Sequence, residues 1–135
     1  MKNISFFSFV LVGLLSWFLV GNKNMTVAEG EKAVVTWSKV THDFGKIPQG
    51  TPVTAEFSFK NTGKIPMVLT NVQASCGCTV PTWPKEPIQP GQSSKISATY
   101  NAAGIGSFNK VVTVYSNTES GTLLLTLKGE VIPKQ

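Results

Sequence analysis

The sequence predicts an all-β protein, a single antiparallel sandwich of about seven strands behind an N-terminal apolar segment. Three observations point there. Beyond about Ala33 no long run carries apolar residues at i, i+3, i+4 and i+7. Short β-rich runs recur instead, separated by Gly, Pro and Asn. About 100 residues remain for these runs, which suits one sandwich and leaves no room for a second domain.

The chain begins "MKNISFFSFVLVGLLSWFLVGNKN". A short basic start, an uncharged apolar run from Ile4 to Gly21 and a polar close have the layout of an export signal. Thr26-Val27-Ala28 is the cleanest small-x-small cleavage site. At about 18 residues the run is at the lower limit for crossing a bilayer, so an uncleaved anchor is the alternative. Residues 1–28 are therefore expected to be a signal peptide or membrane anchor, with residues 29–135 the domain. Either way the domain leaves the cytoplasm, for the periplasm, the outer surface or the medium. The membrane is involved only through this segment, if it stays attached.

The strands follow in order. "AVVTWS" (Ala33–Ser38) is the first, and "HDFGKIPQG" (His42–Gly50) reads as a crossover punctuated by Gly45, Pro48 and Gly50. Val53–Phe59 alternates Val53, Ala55, Phe57 and Phe59 against Thr54, Glu56 and Ser58, the pattern of a half-buried strand. "KNTGK" turns it, with Gly63 free to take a positive φ. Met67–Ala74 changes parity between Leu69 and Val72, which predicts a bulge near Thr70–Asn71. "PTWPKEPIQPG" carries four prolines and reads as a rigid connection without a strand. Ser93–Tyr100, Ser107–Ser116 and Thr122–Val131 complete the set, joined by "NAAGIG" and "NTESG" turns. This spacing is that of an immunoglobulin-like sandwich. The inter-sheet disulfide of antibody domains is excluded, because the only two cysteines are two residues apart.

Composition narrows the function. All twelve basic residues are Lys, and charged residues make up only 14%. Without the first 28 residues, ten lysines face seven acids, a formal charge of +3. Nucleic-acid binding is not expected, since clustered charge and Arg forks are missing. His42 is the only histidine, so neither a hydrolytic triad nor a His-rich zinc site can be built. Asp43 beside it could orient it, but no nucleophile is paired with them and a solvated loop position is favoured. "DFG" at Asp43–Gly45 lacks every other kinase element. Gly45 and Gly50 have phosphate-loop spacing, but Thr51 stands where Lys is required. No enzyme is expected.

"SCGCT" (Ser75–Thr79) is the distinctive stretch. In a flat strand Cys76 and Cys78 would share a face with Cα atoms about 6.6 Å apart. A disulfide wants about 5.5–6 Å, so the backbone must bend, and Gly77 is the residue that bends most readily. Four readings stand: a local disulfide that shapes the loop, a thiol-redox pair, a soft-metal clip for copper, or two reduced buried thiols. Compartment and glycine favour the first. For the clip, His42 or Met67 would supply a third ligand. The redox reading lacks a neighbouring base to lower a thiol pKa.

The stretches "HDFGKIPQG", "FKNTG", "SCGCTVPTWPKEPIQPG", "ISATYNAAGIGSFNKVVTVYSN" and "LKGEV" together resemble the domain of unknown function 1573 family, bacterial envelope proteins with an immunoglobulin-like fold. The resemblance spans Trp37 to Val131. It implies the fold and export, and no activity. More distantly the chain looks like the sandwich domains of cilia and sperm-protein type, which act as binding modules.

The expected function is thus a non-catalytic exported module that binds a protein or an envelope polymer. Two modes of contact are expected: a sheet edge that accepts a strand, and the Cys76–Pro90 loop as a shaped surface. In the loop, Cys76, Gly77 and Cys78 set the shape, and Trp83, Pro84 and Pro87 offer the contact surface, with Trp83 as anchor or as packing on the sandwich edge.

Overall fold

The computed structural model describes residues 30–135. The expected signal or anchor at residues 1–28 lies outside them. The described residues form eight strands: β1 (Val35–Trp37), β2 (Thr41–Pro48), β3 (Val53–Asn61), β4 (Leu69–Ala74), β5 (Thr79–Thr82), β6 (Ser93–Tyr100), β7 (Gly106–Ser116) and β8 (Thr122–Ile132). They build two four-stranded sheets, ordered β1-β3-β6-β5 and β2-β8-β7-β4. The fold is the predicted all-β, immunoglobulin-like sandwich.

The core lies between the sheets and follows the predicted alternation. Ala55, Phe57 and Phe59 of β3 face Val112, Val114, Leu125 and Leu127 of the second sheet, and all are buried. The predicted bulge in β4 is present, as a register shift between Leu69 and Asn71.

Four expectations are corrected. His42–Gly50 is no crossover, because Thr41–Pro48 is a strand that pairs with β8, and it does so in parallel. The chain switches sheets between Trp37 and Thr41 without reversing. β1 therefore runs antiparallel to β3, while β2 continues in the same direction beside β8. The sandwich is mixed by this one pair. Gly45 (φ 66°) makes a bulge there, and the Asp43 carboxylate accepts the Gly45 N–H at 2.8 Å. The bulge broke the period-2 pattern and hid the strand from sequence reasoning.

The proline-rich stretch also hides a strand. Thr79–Thr82 pairs with β6 even though it contains Pro81. Pro81 is tolerated because β5 is the edge of its sheet. With these two additions the strand count rises to eight. Finally, Gly63 does not take a positive φ. Its lack of a side chain serves close packing instead: a Cβ there would lie 2.9 Å from the Val34 nitrogen.

Candidate interaction site

The disulfide sits where the chain crosses from one sheet to the other. β4 is the last strand of its sheet and β5 the last strand of the opposite one. Between them, Ser75 N–H donates to the Val111 carbonyl at 2.9 Å, and Thr79 N–H returns to the Cys76 carbonyl at 3.4 Å. Cys76 and Cys78 are joined, with Cα atoms 5.3 Å apart. Both are half-buried. The turn brings the two Cα atoms closer than a flat strand would. The Thr79 hydroxyl is buried beneath the crosslink, 3.9 Å from each sulfur. Asn101 N–H donates to the Cys78 carbonyl at 3.0 Å, which ties the turn to the β6–β7 connection. Gly77 is exposed, is not in the left-handed region, and has nothing within 4 Å of a built Cβ.

Downstream of β5 the chain is held again. Trp83 is half-buried against the core, and the Lys85 ammonium sits 3.0 Å from its ring centroid. Pro84 is half-buried and Pro87 exposed. Ile88 is buried and exchanges two backbone hydrogen bonds of 2.9 Å with Met67. The Cys76–Pro90 loop is therefore a strap fixed at both ends. Its middle, from Lys85 to Pro87, is a continuous exposed run. Trp83 is already engaged on one side by the core and on the other by Lys85.

The sequence candidates for a metal do not converge. His42 is on β2 and the cysteines follow β4, at opposite edges of one sheet. Three inter-strand steps separate those edges, roughly 14 Å. Met67 lies nine residues before Cys76 along an extended path, roughly 30 Å away. Both sulfurs are in the disulfide. Among the described residues no group of three or more His, Cys, Asp or Glu is placed to hold a metal ion.

His42 has other partners. Its ring packs edge-on against Phe44, with centroids 4.4 Å apart. The Lys39 ammonium donates to Nδ1 at 2.6 Å, so the neutral ring carries its proton on Nε2. Burial, and then the Lys39 charge, lower its pKa below the ordinary 6.5, while Asp43 raises it in part. Asp43 does not orient the ring through a hydrogen bond; its carboxylate is engaged with Gly45.

Sequence reasoning missed Asn61, which is fully buried. A signal was available: Asn61 continues the inward parity of Ala55, Phe57 and Phe59.

The fold has known counterparts. A protein of unknown function from Porphyromonas gingivalis W83 superposes with a TM-score of 0.65 at 20% identity, covering 74% of this chain and 47% of that one. The chain thus spans about half the length of that protein. The ASH / PapD-like domain of human CEP192 gives a TM-score of 0.64 at 12% identity, covering 77% of this chain and 89% of the domain. The secreted serine protease VesC from Vibrio cholerae gives 0.57 at 14%, covering 72% of this chain and 23% of the protease. At such identities these likenesses show the fold alone. No curated protein shows significant similarity to the chain. The family model described as "Protein of unknown function (DUF1573)" matches residues 35–131.

Proposed function

We propose, for a chain that belongs to the DUF1573 family, that it is an exported, non-catalytic immunoglobulin-like module that binds another envelope protein or an envelope polymer through its Cys76–Pro90 strap. A family of unknown function and a PapD-like sandwich fit a non-catalytic module. One observation carries the assignment of the surface. The disulfide at the sheet crossover and the Met67–Ile88 bridge hold the two ends of the strap, which presents Lys85–Pro87 on a rigid scaffold. A preordered loop loses little conformational freedom on binding, so its contacts count more fully toward affinity. Export is supported by the layout of residues 1–28 and by the disulfide, which persists in oxidising compartments.

A photo-crosslinking residue at position 85 in cells tests this, with the same residue at Glu56, on the exposed face of β3, as the control. A discrete crosslinked partner at position 85 only, weakened by Cys76→Ser plus Cys78→Ser, is the expected result. Equal crosslinking from both positions, or none from position 85, overturns the strap as the contact surface.

A further inference from the structure

The sheet edges differ in how they treat their unpaired backbone groups. In β5, Val80 and Thr82 face β6, which turns Thr79 and Pro81 outward. The Thr79 N–H already donates to Cys76, and Pro81 has none. In β4, the Asn71 side chain accepts the outward Val72 N–H at 2.9 Å. In β2, the bulge, Asp43, Lys46 and Pro48 occupy the outward side. Proline, bulges, charge and side-chain caps are the usual means of stopping strand addition.

Two edge stretches lack proline, bulge and charge: β1, which is only three residues long, and the start of β8, where the Ser120 hydroxyl caps the Thr122 carbonyl at 3.0 Å and leaves the Leu124 groups open. β2 begins to pair with β8 only at Thr126, whose N–H donates to the Val40 carbonyl at 2.9 Å. The first part of β8, Thr122–Leu125, thus has no neighbour on that side among the described residues. Ser116 N–H donates to Gly121, so Leu123 and Leu125 bond to β7 and the Leu124 N–H and carbonyl point outward. Leu124 is 56% exposed. Beside it runs a groove of about 470 Å³ between the sheets, lined by Val34, Trp37, Met67, Val114 and Leu123, with Glu119 its one charged side chain.

We propose that Thr122–Leu125 of β8 accepts a short extended segment of a different polypeptide, apolar at alternate positions and ending in a basic residue that meets Glu119. Strand addition would satisfy the outward Leu124 groups. Every second side chain of the segment would enter the groove over Trp37 and Leu123. A second copy paired two-fold about Leu124 does not fit. Two-fold pairing at Leu124 would place each copy's Thr122 opposite the other's Thr126, where Val40 already bonds. The inference rests on the reading of the chain as a binding module and names a surface separate from the strap.

The test uses the full chain and the blocked peptide Lys-Val-Thr-Val-Thr, with a second peptide N-methylated at both Val residues. Calorimetry and amide exchange at Leu124 are the readouts. The plain peptide is expected to bind saturably and slow exchange at Leu124. N-methylation, or Leu124→Pro in the protein, is expected to weaken binding about tenfold, the scale of one or two lost backbone hydrogen bonds. Glu119→Gln is expected to weaken the Lys peptide more than a Gln analogue. The proposal is overturned by no binding at millimolar peptide, or by equal binding of the N-methylated peptide. It is also overturned if Leu124 is already protected in the free chain: concentration-independent protection means the chain's own N-terminal segment fills the edge, and concentration-dependent protection means a second copy does. Crosslinking at position 85 is read separately, so failure here leaves the strap standing.

Discussion

Asn61 donates from its side-chain amide to the Ile88 carbonyl across 2.8 Å, joining the end of β3 to the end of the strap. Its second N–H reaches the Ile65 carbonyl at 2.9 Å, and its side-chain oxygen accepts from Gly63 at 3.0 Å. Its own N–H donates to Gln92, and its carbonyl accepts from Gly91. A fully buried amide thus has partners for every group, so the polar side chain is tolerated in the core.

Asn61→Ala removes all three bonds, but the Ile88 carbonyl keeps the Met67 N–H and the Gly63 N–H keeps the Val34 carbonyl, so only the Ile65 carbonyl loses its partner. We expect a loss of about 1–3 kcal/mol in urea unfolding, the cost of one stranded group. Amide exchange should quicken first between Trp83 and Gln92. An effect near zero would mean that water replaces the amide.

The disulfide closes a very short loop. Cys76→Ser plus Cys78→Ser is expected to cost about 1–2 kcal/mol by loop-closure entropy, and the domain should still fold. Melting of the native protein with and without a thiol reductant should give the same difference. Complete unfolding on reduction would assign the crosslink a larger structural role than its loop length allows.

Two glycines should respond in opposite ways. A Cβ at Gly129 would lie 2.8 Å from the Gly45 carbonyl oxygen and 2.9 Å from the Phe108 ring. Gly129→Ala is expected to lose about 1–3 kcal/mol, the cost of overpacking. Gly77→Ala meets open space, so it should stay within about 0.5 kcal/mol of the native protein and still form the disulfide. Thermal unfolding of the two variants side by side checks both.

Histidine titration by NMR should place the His42 pKa below 6.5. Lys39→Ala should raise it, and Asp43→Asn should lower it further. The sign for stability follows. As the pH falls below about 6.5 the unfolded chain takes up a proton first, so the His42 contribution declines until the folded ring is protonated too. Above that value the contribution is constant.

The sequence by itself determined the class of fold and the inward face of its central strands. Ala55, Phe57 and Phe59 alternate without interruption, and burial of one face allows a single register. It also exposed the β4 bulge, because Leu69 and Val72 break parity within one short run. In the candidate site it singled out Cys76, Gly77 and Cys78 and the loop after them. Tertiary structure decided the rest. β2 was illegible because the Gly45 bulge interrupts its period, and because its partner β8 lies more than 80 residues away in sequence. β5 was illegible because a proline is excluded from a strand only when its nitrogen must donate, and that depends on which side has a neighbour. The same holds for His42 and the cysteines, since only the strand order sets them at opposite edges of a sheet. Leu124 interrupts the inward series Leu123, Leu125 and Leu127 within one run of leucines. Its side chain is exposed because it has the outer-face parity of β8, between Leu123 and Leu125, and its backbone groups stay open because β2 joins the sheet only at Thr126. Local patterns determine what a segment can bury, and long-range pairing determines which of its edges are left open.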